Sequence, residues 1–121
     1  MVDDDADSRE LLCIVLDRAG YEPRAAACAA DALALASEFE PQVALLDIGL
    51  PGTDGYDLAR LLRATPTFEH CRFIAVSGYG SPESIARSIA AGFEAHLTKP
   101  VEIGEVLAAI RGNDRQTDLA R

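Results

Sequence analysis

At 121 residues, with 49% hydrophobic and 26% charged side chains, the chain is long enough for one domain with its own core, and wholesale disorder is excluded. A net charge of −9 argues against nucleic acid as a direct partner, because a phosphate backbone demands clustered Lys and Arg. No apolar run approaches the roughly 20 residues of a bilayer span and no basic-then-apolar leader opens the sequence, so no membrane insertion is expected.

Met1-Val2 is followed by Asp3-Asp4-Asp5 and then by a helical pattern in which Leu11, Leu12, Val15, Leu16 and Ala19 share one apolar face. Asp7 with Glu10 resembles a capping box, and Gly20 is the expected stop. Glu22 to Ala27 is a weak strand candidate, and Asp31 to Glu40 reads as a helix ending before Pro41. Val43 to Asp47 is a short apolar run bounded by Pro41 and a Pro/Gly-rich turn, the pattern of a strand buried on both faces. A helix from about Tyr56 to Ala64 follows, carrying Leu58, Ala59, Leu61 and Leu62. Arg72 to Val76 is the next strand, and Ser81-Pro82-Glu83 is a strong helix start. That helix carries Ile85, Ile89 and Ala90 and stops at Gly92. A short strand at Ala95 to Leu97 leads into Thr98-Lys99-Pro100, and a last helix from about Ile103 holds Val106, Leu107 and Ile110. Residues 112–121 read as a polar tail or the start of a linker. Cys13, Cys28 and Cys71 are an odd set without C-x-x-C spacing, and with His70 and His96 they make no finger-like ligand pair. They read as free thiols in a reducing cytoplasm.

Alternating strands and helices imply a parallel sheet with helices on both faces. In such a sheet the carboxyl ends of the strands share one edge, where open α/β folds bind their ligands. Asp3-Asp4, Asp47, Ser77 and Lys99 all fall at that edge. Singly, each has a plain explanation: a dipole-satisfying acidic run, a turn former, a loop-bonding serine, a surface lysine. Together they gather three carboxylates against one ammonium, and a like-charge pair at about 4 Å costs about 4 kcal/mol at an effective dielectric of 20. Such a pocket must take up a proton or a cation. Hard oxygen ligands with an incomplete protein shell suit Mg2+, which shares phosphate oxygens readily. Asp47 is then placed as a nucleophile, with Ser77 and Lys99 to hold the oxygens of a phosphoryl group.

Val2-Asp3-Asp4-Asp5, Asp47-Ile48-Gly49-Leu50-Pro51-Gly52-Thr53-Asp54-Gly55, Ala75-Val76-Ser77-Gly78 and Leu97-Thr98-Lys99-Pro100, in this order, resemble the receiver domains of two-component response regulators. The resemblance spans residues 1–111. It implies an α/β, flavodoxin-like, doubly wound fold, with a five-stranded parallel sheet in the order 2-1-3-4-5 and five helices. It implies that Asp47 accepts a phosphoryl group from a phosphohistidine on a histidine kinase or histidine phosphotransfer protein. Asp4, Asp47 and the backbone carbonyl of Gly49 are implied Mg2+ ligands, with Asp3 acting through water. Lys99 is implied to pair with the phosphoryl oxygens ahead of a cis bond to Pro100, while Ser77 turns inward and couples the site to the face of helix four, strand five and helix five. The family's usual aromatic on strand five is here His96, either a switch or an exposed strand histidine. Gly49 and Tyr79 resemble positions that set the rate of phosphate loss. The first strand is short by family standards, so three added apolar residues are expected to stabilise the fold.

Three other readings remain beside this one. An aspartyl-nucleophile, metal-dependent phosphatase is disfavoured because Gly49 stands where a second aspartate is usual. A flavin-binding module lacks a phosphate-cradling loop after strand one, and a receiver-like module that never sees phosphate is opposed by the intact acidic set with Ser77 and Lys99. The output is open, with a covalently linked kinase or output domain as one possibility.

Overall fold

In a computed structural model of the chain, five α-helices alternate with the strands of one open parallel sheet. The structure describes residues 1–50, 52, 54–78 and 80–111, so the expectations for Tyr79 and for a tail over 112–121 lie outside the described residues. The helices are α1 (Ala6–Arg18), α2 (Ala29–Ala36), α3 (Gly55–Arg63), α4 (Pro82–Ala90) and α5 (Ile103–Ile110). The strands are β1 (Val43–Asp47), β2 (Arg72–Ser77) and β3 (Ala95–Thr98), which are the third, fourth and fifth strands of the sequence pattern. They pair in the order β1-β2-β3, in parallel, with Leu45 opposite Ile74 and Ile74 opposite Ala95.

The two remaining sheet positions are occupied by single-residue bridges. Val2 bridges Leu46 on one side and Ala26 on the other, both in parallel. Val2 N–H donates to Leu45 O at 2.8 Å, Asp47 N–H to Val2 O at 2.9 Å, and Ala26 N–H to Met1 O at 2.9 Å. The spatial order is therefore 2-1-3-4-5, with positions one and two reduced to their last rungs. Two sequence features account for this. Only Met1 and Val2 precede the acidic run, and the expected strand at Glu22 to Ala27 contains Pro23 and no β-branched residue, so only Ala26 pairs.

The alternation of β1 and β2 divides the core. Ala44, Leu46, Phe73 and Ala75 pack with Leu58, Leu62 and Phe93 on the side of α2 and α3. Leu45 and Ile74 pack with Leu16 of α1 and Val106 of α5 on the other. Helix starts and stops follow local chemistry. Ser81 caps α4 by accepting from Ser84 N–H at 3.2 Å, ahead of Pro82. Gly20 (φ 97°) ends α1 with Tyr21 N–H bonded to Leu16 O and its own N–H to Asp17 O, a Schellman closure.

Three expectations require correction. The cap of α1 is Asp5, which accepts from Asp7 N–H at 3.1 Å and Ser8 Oγ at 3.0 Å, so the Asp7/Glu10 box does not form. Of the expected α1 face only Leu16 is fully buried, and Leu11 is 54% exposed. On α4 the expected apolar face is turned outward: Ile89 is 62% exposed, Ile85 also faces solvent, and Ser88 is completely buried. The reason lies at the end of the helix. Gly92 (φ 94°) turns the chain so that Phe93 N–H bonds Ser88 O at 3.0 Å, and the buried Phe93 supplies the apolar filling beneath α4. The row left against the sheet is made of small residues, Ser84, Ser88 and Ala91.

A cavity of about 690 Å³ lies under Met1, walled by Leu16, Arg24, Leu35, Val43 and Leu45 among others. Met1 and Val2 line it on one side, beside Ala26 and residues 43–45. The Met1 ammonium sits at its mouth, donating to Arg24 O at 2.6 Å, and burial pushes its pKa below the ordinary value. Three apolar residues joined ahead of Met1 would place side chains in this cavity and replace a desolvated ammonium by a ladder amide. Their burial, at about 1.5–3 kcal/mol per side chain against about 1–2 kcal/mol of backbone ordering each, is expected to raise the melting temperature by roughly 5 °C. A thermal melt checks this, and an unchanged midpoint would mean the cavity is not a strand position.

Candidate functional site

Asp47 closes β1, and its side chain is almost completely buried. A carboxylate there must be held by polar partners. Its Oδ2 accepts from Lys99 Nζ at 2.7 Å, and its Oδ1 accepts from Gly49 N–H at 2.9 Å. Lys99 is brought to this position by the chain just past β3, where its own N–H donates to Ser77 O at 2.7 Å, and the Lys99–Pro100 bond is cis. Ser77 ends β2 and is buried.

The acidic run arrives from the neighbouring sheet position. Asp3 N–H donates to Ala26 O at 3.1 Å, its Oδ1 accepts from Asp5 N–H at 2.9 Å, and its carbonyl accepts from Arg9 Nη1 at 2.8 Å. Asp3 is buried and Asp4 exposed. Asp3, Asp4 and Asp47 each offer a carboxylate oxygen within 4.8 Å of the others, the one such three-ligand group among the described residues. The donor set is all oxygen, carries more negative charge than Lys99 balances, and is open on the Asp4 side. It fits a hard divalent cation that keeps part of its water shell.

The charges act on one another as this crowding requires. Burial raises the pKa of Asp3; the Asp5 N–H and Lys99 oppose that rise, and the charges of Asp47 and Asp4 add to it. Burial alone would lower the pKa of Lys99, but its hydrogen bond to Asp47 and the charges of Asp47, Asp3 and Asp4 outweigh it and leave the pKa raised. The cysteines take no part: none is in a disulfide, and burial pushes Cys71 up to about 11, away from thiolate.

Beside Asp47 and Lys99 opens a cavity of about 430 Å³, walled by Leu11 and Leu12 of α1 and by Val101, Ile103 and Val106 before and within α5. It is smaller than the cavity under Met1 but, unlike that one, it borders the carboxylates.

Two features of the site were not read from the sequence. Gly55, first residue of α3, lies so close to the strand end that a Cβ on it would sit 2.5 Å from Ile48 Cα and 2.8 Å from Asp47 O. The D-G pair is visible in the sequence as a turn signal, but the close approach depends on where α3 begins. The second is a hydrogen-bonded chain running from α3 through α4 to β3. Tyr56 OH lies 3.2 Å from Ser88 Oγ, and Ser88 Oγ lies 2.8 Å from His96 Nδ1. No sequence signal marks Ser88, because the helical periodicity of α4 favours its isoleucines.

A single parallel sheet in this order, with an acidic triad and a lysine at its carboxyl edge, defines a receiver-type α/β domain. The response regulator receiver domain family matches residues 1–111, and the chain belongs to that family. The chain is 32% identical over 111 residues to sporulation initiation phosphotransferase F of Bacillus subtilis, spanning 92% of this chain and 88% of that one. It is 32% identical over 117 residues to the phosphate regulon transcriptional regulatory protein PhoB of Pseudomonas aeruginosa, spanning 97% of this chain but 51% of that one. It thus spans about half the length of that regulator. Among solved structures, a CheY-like response regulator receiver domain protein from Methanospirillum hungatei superposes with a TM-score of 0.83 at 30% identity, covering 99% of this chain and 94% of that one. Vibrio cholerae chemotaxis protein CheY4 gives a TM-score of 0.84 at 26% identity, covering 91% of this chain and 92% of that one.

Two outcomes follow from the geometry. A folded-state pKa raised above the unfolded one means that ionising Asp3 destabilises the fold, progressively as pH rises through the shifted value. Asp3→Asn, measured without divalent cation near pH 7, is therefore expected to raise the melting temperature by roughly 2–5 °C. Gly55→Ala forces backbone apart at the strand end and is expected to lower unfolding free energy by about 1–3 kcal/mol in a urea titration.

Proposed function

We propose that this receiver domain is a cytoplasmic, phosphorylation-dependent switch in which Asp47 accepts a phosphoryl group from a phosphohistidine on a histidine kinase or histidine phosphotransfer protein. The carrying observation is Asp47 itself, a buried carboxylate whose Oδ2 faces the Lys99 ammonium at 2.7 Å inside a three-carboxylate cluster. Asp4, Asp47 and the Gly49 carbonyl would hold Mg2+, with Asp3 acting through water. When bound, the ion neutralises charge on the cluster and on the phosphoryl oxygens.

An Asp47 oxygen forms the new O–P bond as the P–N bond to the donor imidazole breaks, and the electron pair of that bond stays on the leaving nitrogen. Lys99 keeps its charge through this step, because its neighbours raise its pKa. It can exchange its bond to Asp47 Oδ2 for one to a phosphoryl oxygen. Phosphoryl transfer depends on such positioning and charge stabilisation. The cavity beside Asp47, with Leu11 exposed on its rim, gives a donor protein an apolar surface to meet close to the acceptor oxygen.

The product places about two negative charges at the sheet edge. Ser77 then turns to the phosphoryl group and, with Lys99, biases the face formed by α4, β3 and α5, where His96 takes the aromatic's position. Differential contacts of this kind are what shift a two-state equilibrium. Gly49 leaves no second carboxylate for repeated turnover, which supports a regulatory acceptor over a phosphatase. A longer protein carrying a linked kinase or output domain is compatible with the half-length match to the transcriptional regulator.

The test is labelling with acetyl phosphate, a small donor that needs no partner. Stoichiometric, Mg2+-dependent, base-labile labelling is expected, abolished by Asp47→Asn and by chelation. Ser77→Ala is expected to retain labelling while losing the spectral change on the α4 face. Labelling of Asp47→Asn, or steady turnover of a phosphomonoester, would overturn the reading.

A further inference from the structure

Ser88 is the completely buried polar residue of α4, and its hydroxyl has three neighbours. Ser84 O lies 3.1 Å away, Tyr56 OH 3.2 Å and His96 Nδ1 2.8 Å. A hydroxyl has one hydrogen to give, and a backbone carbonyl only accepts. All three contacts are satisfied together in one arrangement. The Ser88 hydrogen goes to Ser84 O, and the Ser88 oxygen accepts from Tyr56 OH and from the N–H of a His96 tautomer that carries its hydrogen on Nδ1.

His96 also has the right place in the sheet. Ala75 stands opposite His96 and Ser77 opposite Thr98, so His96 and Ser77 lie on the same face as diagonal neighbours. Tyr56, at the far end of the chain, is fixed independently: it packs edge-to-face on Phe93 at 6.0 Å, and the Arg87 guanidinium lies 4.2 Å over its ring. Ser88 thus offers His96 an acceptor built into the packed side of α4.

We propose that Ser88 is a positioning residue that latches His96 against α4, so that the bond from His96 Nδ1 to Ser88 Oγ must open before the switch face can repack. The latch belongs to the unphosphorylated arrangement, and losing it shifts the equilibrium toward the switched one by the net worth of that bond. Its effect on activation rests on the phosphoacceptor reading above; its effect on the imidazole does not.

Beryllofluoride with Mg2+, a phosphoryl mimic, is titrated against the wild type, Ser88→Ala, His96→Phe and the double variant. Ser88→Ala is expected to tighten beryllofluoride binding by about 2- to 10-fold, the worth of one net hydrogen bond, and to change it less than twofold in the His96→Phe background. No tightening, or equal tightening in both backgrounds, would overturn the latch, since Ser88 would then act through α4 alone. In parallel, nitrogen-15 NMR of the neutral imidazole without beryllofluoride is expected to show hydrogen on Nδ1 in the wild type, with that preference lost in Ser88→Ala. A hydrogen on Nε2 in the wild type would also overturn it. If the wild type binds no beryllofluoride, the phosphoacceptor reading fails, and the tautomer alone decides the latch.

Discussion

A carboxylate at the end of a strand buried on both faces can stay charged only if partners replace the water it gave up. Asp47 meets this constraint with one ammonium and one backbone N–H, and both partners come from loops that the sheet edge brings together. Asp3 and Asp4 then add negative charge at the same edge, which Lys99 cannot balance alone. The result is an unevenly charged pocket, stable enough to form and short of positive charge. That shortage suits a hard cation, which would also offset the charge of the proposed phosphoryl group.

The scaffold serves this edge at some cost to itself. The sheet gives Asp47 a fully paired neighbour in β2, yet on the other side only the last rung of the first strand remains, at Val2. That rung is the one that counts for the site: Asp47 N–H donates to Val2 O, and Asp3 follows directly. At the opposite end of that position lies the cavity under Met1. Gly55 works in the same direction, since only a residue without Cβ lets α3 start against the Asp47 carbonyl.

Helix α4 shows how a local pattern and a tertiary role can diverge. Its isoleucines face out and Ser88 faces in, because Phe93 fills the apolar space from beyond the helix. The inward row is then available for polar linkage to Tyr56 and His96, and the outward row leaves Ile85 and Ile89 on the face that the proposed switch would repack.

The order of strands and helices was legible in the sequence because each element is bounded by strong local chemistry: Pro41 before β1, Ser81-Pro82 before α4, and Gly20 and Gly92 after their helices. So was the gathering of Asp3, Asp4, Asp47, Ser77 and Lys99, since parallel strands must end on one edge. The cap of α1 was misread because several acidic residues competed for one role, and the weak second strand, poor in β-forming residues, pairs only at Ala26. Which side of α4 is buried, how close Gly55 comes to the strand, and the Tyr56–Ser88–His96 chain were decided by tertiary packing alone. Each depends on residues five or more positions apart meeting in space, and no local spacing encodes that.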